Sequence, residues 1–329
     1  MRYQLARSGG SGAVYESGSV TPKGTVRVVA PVRLSLIENP EETLEFFSSV
    51  LKSVSRRREV FLDLSGIEVL TTDAVMCLLS AIEATRGGGK RTKMSGNYPV
   101  ADECNRLLVD SGFYGFVYTA TPLGVTVNNE DIYAIASGSK VDPNQASEVK
   151  AFAVDHLGIE AGSSEAKKLY TSIIECMANT RNHAYGDERK TKRKWWLMAH
   201  YRPESCTVSF TFVDNGLGIP ATVRRKFADA VRTTARALSV SPRSQYIDAD
   251  LIESAMKGEH RTKTRLEHRG KGLRSIYDGA KDGHLLRLQV ISRHGMVDCT
   301  EDSKRRLSGA FEGTLVFWDV SGTRKPHDE

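Results

Sequence analysis

Thr207-Val-Ser-Phe-Thr-Phe-Val-Asp214-Asn-Gly216-Leu-Gly218-Ile-Pro220 is the stretch on which the reading of this chain turns. Its first half alternates, with Val208, Phe210 and Phe212 set against Thr207, Ser209 and Thr211, the period of a strand with one apolar face. The run ends on a carboxylate, and two glycines follow at once. Glycine lets a backbone approach a flat ring closely, and a carboxylate at a strand end can accept a hydrogen bond from an exocyclic amine. Asp-Asn-Gly is also good turn chemistry in its own right, so its surroundings must decide between the two.

On the N-terminal side the pattern predicts a long helix over 164–185 carrying Glu175-Cys-Met-Ala-Asn179-Thr-Arg-Asn182-His183-Ala184. Spacings of four and seven put Glu175, Asn179 and Asn182 on one face, while Leu169, Ile173, Met177 and Ala184 can bury the other. A strand over 195–201 lies between this helix and the quoted stretch. On the C-terminal side comes a long, basic, mostly helical insertion over 220–268. Then Arg269-Gly270-Lys271-Gly272-Leu273 opens another helix, whose free amides suit phosphate oxygens. Two strands follow, over 285–292 and 314–320, the second opened by Gly313-Thr314. The second half therefore reads as an α/β sandwich, with helices on one face of a largely antiparallel sheet.

The order and spacing of these three motifs resemble the N box and the two glycine boxes of the GHKL ATPase superfamily, which takes in DNA gyrase, the sensor histidine kinases and the anti-sigma serine kinases. The resemblance covers roughly 140–322 and implies the Bergerat fold, with ATP and Mg²⁺ as cofactors. It implies that Asp214 holds the adenine amine, helped by Thr314 and a water, with Gly216 and Gly218 against the ring. Asn179 would ligate Mg²⁺, and Glu175 would polarise the attacking water or hydroxyl. Gly270 and Gly272 would cradle the phosphates beside Leu273, with Lys271 adding a cationic contact. The insertion over 220–268 would be the ATP lid, closing arginines such as Arg261 and Arg265 on phosphate.

The first half alternates strands and helices. Valines over 25–37 read as two strands, Pro40-Glu41-Glu42 starts a helix running to about Ser55, and Val60-Phe-Leu-Asp-Leu is a buried strand. Thr71 or Thr72 can cap the next helix, in which Val75, Leu78, Leu79 and Ile82 share a face. A strand over 91–95 and a helix over 101–111 complete an open sheet with packed helices. Val60-Phe-Leu-Asp-Leu-Ser-Gly-Ile-Glu-Val-Leu-Thr-Thr-Asp73-Ala-Val and Leu108-Val-Asp-Ser-Gly-Phe-Tyr114 resemble the STAS domain of anti-sigma factor antagonists. Those antagonists carry Asp-Ser-Ser-Gly ahead of the helix, and a serine there is phosphorylated. Here Asp73 stands at that position, where its charge could imitate a phosphoserine; Thr72 is the nearby hydroxyl, better suited to capping. The expected organisation is a loose segment over 1–24, a STAS-like domain over 25–120, a connector over 121–163, the ATP-binding domain over 164–322 and a tail over 323–329.

Composition narrows the function classes. The 329 residues are 40% hydrophobic and 26% charged with a net charge of +6, too mild by itself to argue nucleic-acid binding. The basic excess is local, in the run Arg189, Lys190, Lys192, Arg193, Lys194 and in 221–271, where twelve Lys/Arg face six Asp/Glu. The five cysteines form no CxxC pair, which predicts reduced thiols and a cytoplasmic location. The N-terminus lacks a signal-peptide apolar run, and no stretch has the length of a membrane span. The resemblance predicts neither a sensor histidine kinase, for want of a hairpin with a phosphoacceptor histidine, nor a gyrase-like transducer, since the chain ends soon after Thr314. The leading expectation is an ATP-dependent regulatory switch with slow hydrolysis, acting on a protein partner in trans or on a second copy in a homodimer. The alternatives are a serine/threonine kinase of anti-sigma type and a nucleic-acid or partner-binding module with a basic lid, the latter weakened by scarce aromatics among its charges.

Overall fold

The computed structural model describes residues 24–86, 93–117, 129–182, 193–231, 247–259 and 272–322. It is mixed α/β and divides into two compact units, Met1–Glu130 and Asp131–Glu329.

The first unit runs β1 (Val26–Val29), β2 (Arg33–Leu34), α1 (Pro40–Ser55), β3 (Val60–Asp63), β4 (Val69–Leu70), α2 (Thr72–Arg86), β5 (Met94–Gly96), α3 (Asp102–Asp110) and α4 (Phe113–Val117). Strands β1, β3 and β5 form a parallel sheet in that order, and β2 pairs with β4. Parallel neighbours need crossovers, which the helices supply. Pro40 at the first turn of α1 gives up an amide that has no partner there, and Glu41 and Glu42 suit the positive end of the helix. Leu44, Phe46, Phe47 and Val50 bury its inner face. Helix α2 is enclosed more fully than one apolar stripe suggests: Ala74, Met76 and Cys77 are as buried as Val75, Leu78, Leu79 and Ile82.

Asp73 does not display its charge. It is 2% exposed, and its carboxylate accepts from the amides of Leu36 (2.5 Å) and Ile37 (3.2 Å) and from the Ser35 hydroxyl (3.3 Å). The turn before α1 is thus clasped by this aspartate, and the idea of a phosphoserine-like surface charge fails on burial. Thr72 is buried too, at 7% exposure.

The second unit runs β6 (Ile132–Gly138), α5 (Pro143–Leu157), α6 (Ser164–Asn182), β7 (Trp195–Arg202), β8 (Thr207–Asp214), α7 (Ile219–Val231), α8 (Ile247–Met256), α9 (Gly272–Lys281), β9 (Arg287–Asp298) and β10 (Ser303–Ser321). Its five strands pair antiparallel in the order β6-β7-β8-β10-β9. The apolar side of β8 meets the helices as the alternation predicts: Phe210 and Phe212 join Trp195, Leu197, Val316 and Trp318 against Leu169, Ile173, Met177 and Ile276. Phe210 stacks on Trp318 at 5.0 Å between ring centres. Each such buried side chain contributes roughly 1.5–3 kcal/mol.

Three boundaries differ from the sequence reading. Strand β6 and helix α5, read as a connector, belong to the second unit, where β6 pairs with β7 and Ala146, Val149, Ala153 and Leu157 enter the core. The last strand starts at Ser303, well before Gly313, because β9 and β10 form a long hairpin with irregularities between Arg306 and Leu315. Within 220–268, helix α8 is a packed core helix: Ala249, Leu251, Ile252 and Met256 are buried. Gly295 of β9 permits this approach, since a Cβ there would lie 2.6 Å from the Ala249 amide nitrogen. Among the described residues no helix is long and apolar enough to cross a membrane.

Candidate functional site

Strand β8 delivers Asp214 to its end, 6% exposed and opposite both Trp195 of β7 and Thr314 of β10. The Gly216 amide turns back to donate to Asp214 Oδ1 at 2.7 Å, and the hydroxyl and amide of Thr314 also donate to this carboxylate. Burial pushes the Asp214 carboxyl up to about 6, while those donors and the nearby Arg193 charge pull it down. A carboxylate has about four lone-pair sites, so three protein donors leave room for roughly one more.

Ser292 fixes the glycine loop. Its hydroxyl donates to the Gly313 carbonyl (2.6 Å) and accepts from the Ile219 amide (3.0 Å), joining β9, β10 and the start of α7. Gly218 passes over this serine at φ +82°, where a Cβ would stand 2.5 Å from Ser292 Oγ. Gly313, at φ +111°, has no room for a Cβ either, because the Asp214 carbonyl oxygen occupies that place. Neither position tolerates a side chain.

These elements enclose a cavity of about 20 Å³. The strands contribute Phe212, Asp214, Thr314 and Val316, and the glycine loop contributes Gly216, Leu217, Gly218 and Ile219. Helix α6 contributes Cys176, Asn179 and Thr180, and α9 contributes Leu273. Of the residues singled out from the sequence, Asn179, Asp214, Gly216, Gly218, Leu273 and Thr314 therefore share one lining. Glu175 does not join it. It sits one turn before Asn179 on α6, half-buried, with a carboxyl raised by that burial. Gly272 is the first residue of α9, while Gly270 and Lys271 lie outside the described residues, as do His183, Arg261 and Arg265. All five cysteines are free and buried. Cys176 in the lining is pushed far up by burial and by the Glu175 and Asp214 charges, so it remains a thiol and not a nucleophile.

Sequence reading missed Ser292, an ordinary strand serine until the hairpin folds it over Gly218. It also missed the tie that holds the far side of the loop: the Lys194 amide donates to Asn215 Oδ1 (2.7 Å), and the Asn215 amide donates to the Lys194 carbonyl (3.2 Å). Asparagine after a strand-ending aspartate was the available signal. No known family model matches the sequence, and no curated protein matches it.

Proposed function

We propose that the second unit is a Mg²⁺–ATP-binding domain of GHKL, or Bergerat, type, and that nucleotide occupancy sets how the chain engages a protein partner. The observation that carries this reading is the single cavity in which Asp214, from a strand end, and Asn179, from a helix, meet with Gly216, Gly218, Leu273 and Thr314. Asp214 would take the adenine amine on its remaining acceptor site. The Asn179 amide oxygen would ligate Mg²⁺, which offsets the charge of the phosphates when bound. Mg²⁺ usually takes only one or two protein oxygens along with phosphates and waters. The donor set therefore suits the ion, although no group of three His, Cys, Asp or Glu suited to a metal occurs among the described residues. The phosphates would lie at the start of α9, near Gly270, Lys271 and Gly272. A cavity of about 20 Å³ has room for little more than a water, so the ring enters as the side chains of Leu217 and Leu273 part.

Glu175 would orient the attacking water, and its raised carboxyl suits a group that exchanges a proton. The first unit, with its parallel strands and packed helices, supports a STAS-like partner-binding role. The second reading, a serine/threonine kinase of anti-sigma type, is favoured by the same Glu175–Asn179 spacing. Its acceptor would be a hydroxyl in trans, since Thr72 is buried.

The test is a titration of the full chain with Mg²⁺–ATP, followed by assays of phosphate release and of label transfer to candidate partners. Glu175→Ala is expected to bind ATP within about twofold of the parent and to lose turnover by 100-fold or more, of the order seen when a catalytic base is removed. Parent-like turnover in that variant would remove Glu175 from the mechanism. Label on a partner hydroxyl in place of free phosphate would replace the switch by the kinase.

A further inference from the structure

Helix α6 carries two threonines that bond back into their own helix, and they are not alike. Thr171, outside the cavity lining, gives its hydroxyl hydrogen to the Lys167 carbonyl at 2.9 Å. Thr180, in the lining and only 3% exposed, reaches the Cys176 carbonyl at 3.4 Å. Hydroxyl bonds to oxygen run from about 2.5 to 3.0 Å, so the second is barely a bond. Among the described residues no other hydrogen bond holds the Thr180 hydroxyl. A buried polar group without a good partner is costly, and at a site the explanation to look for is a ligand that completes it.

Burial divides the cavity wall. Thr180, Asp214, Phe212 and Val316 are buried, whereas Asn179, Leu217 and Leu273 are half-buried and mark the mouth. The hydroxyl thus belongs to the deep end, with the carboxylate. One kind of contact is otherwise missing there. Ionised Asp214 can only accept, and Thr314 has given its hydrogen to Asp214. Cys176 offers a thiol, a weak donor, and the other deep side chains are apolar. Thr180 is therefore the one strong side-chain donor in the buried part of the lining.

We propose that Thr180 is a further base-contacting residue of this cavity, its hydroxyl turning from the Cys176 carbonyl to donate to a ring nitrogen of the purine whose amine Asp214 holds. The proposal rests on the nucleotide-binding reading above. An exocyclic amine next to an unprotonated ring nitrogen presents a donor beside an acceptor. A carboxylate and a hydroxyl supply one partner for each, and two such contacts fix a ring in its plane where one lets it pivot.

The full chain, Thr180→Val and Thr171→Val are titrated with Mg²⁺–ATP and with its 1-deaza and 7-deaza analogues, each lacking one ring acceptor. Valine keeps nearly the shape of threonine and removes the hydroxyl. The parent is expected to bind one analogue about three- to tenfold more weakly than ATP, the loss of one neutral hydrogen bond. Thr180→Val is expected to bind ATP more weakly by a similar factor, and to bind that analogue at least as well as it binds ATP. Thr171→Val is expected to match the parent on all three. A parent that binds both analogues as tightly as ATP overturns the contact without any variant. So does a Thr180→Val protein that matches the parent on ATP, or that loses the same factor for ATP and both analogues. Should Thr180→Val fail to fold, Thr180→Ala is read by the same loss of discrimination. A parent that binds no adenine nucleotide overturns the underlying reading instead, and the two failures are thereby told apart.

Discussion

Asp73, in the first turn of α2, and Asp214, at the end of β8, are both buried, and the two end up doing different work. Asp73 and Asp214 are 2% and 6% exposed, and burial raises the carboxyl of both. Asp73 is saturated: Leu36, Ile37 and Ser35 donate to it, and Thr71 adds a further hydrogen bond. Asp214 takes comparable help from Gly216 and Thr314 yet faces a cavity, with an acceptor site to spare. Burial and a shifted carboxyl therefore do not make a site. The hollow and the unspent lone pair do.

Exchanging each for asparagine should separate them most sharply. Asp214→Asn is expected to weaken Mg²⁺–ATP by about 100-fold or more, because an amide turned toward the ring presents a donor to a donor. Asp73→Asn is expected to leave ATP affinity within about twofold and to lower stability by about 1–3 kcal/mol, since an amide group cannot accept from every donor gathered there. Calorimetric titration and chemical denaturation of the two variants check this. Equal losses of affinity would erase the distinction.

The backbone repeats the contrast. At Gly66 of the first unit a Cβ meets nothing within 4 Å, whereas at Gly313 it meets the Asp214 carbonyl oxygen at φ +111°. Gly66→Ala should be neutral to within about 0.5 kcal/mol. Gly313→Ala should cost about 3 kcal/mol or more and take nucleotide binding with it, read as the denaturation midpoint and the ATP titration.

Much of this was legible in the sequence, and what was not shares a cause. The alternation of 207–213, the helix bearing Asn179 and the glycines after Asp214 are local patterns, and local patterns survive into the fold. Helix α5 was equally legible: Asp142 caps it by accepting from the amides of Asn144 and Gln145, Pro143 opens it and Gly158 closes it at φ +65°. The membership of β6 in the second unit was not, because strand partners are chosen by tertiary packing. Ser292, 73 residues from Ile219, belongs to the same class. So does α8, whose place depends on the missing Cβ of Gly295, and so does Asp73, three of whose donors lie 36 to 38 residues away.

Acid should act on the two functions of Asp214 with opposite signs. Its carboxyl stands at about 6 in the fold against an ordinary 3.8. The folded state holds the proton more tightly than the unfolded chain, so the group stabilises the fold below about pH 4, and this contribution is lost as pH rises through about 6. Its full size is on the order of 3 kcal/mol. If Asp214 takes the adenine amine as proposed, binding needs the ionised form, so ATP affinity should be flat above about pH 7 and fall roughly tenfold per unit below about 6. Titrations between pH 5 and 8 on the parent check the slope. An affinity unchanged down to pH 5 would mean the carboxylate is not what the ligand reads.

The smallest expected difference is the most telling about construction. Thr43 and Ser292 perform the same local task in their two units. Thr43 Oγ1 donates to the Ser35 carbonyl (2.9 Å) and accepts from the Ser35 amide (3.2 Å), as Ser292 does between Gly313 and Ile219. Both side chains are fully enclosed, so losing the Ser292 hydroxyl takes a partner from a buried amide and a buried carbonyl. Losing the Thr43 hydroxyl takes one from the Ser35 amide, while the Ser35 carbonyl keeps the Asn39 amide (3.0 Å). Thr43→Val and Ser292→Ala should each cost about 1–3 kcal/mol. Only Ser292→Ala should also weaken ATP, by about three- to tenfold, because the backbone it releases carries Gly218 and abuts Asp214. If the two variants lose stability alike and neither changes affinity, the glycine loop holds its shape without the serine. The rigidity of the cavity must then come from the Lys194–Asn215 clasp on its other side.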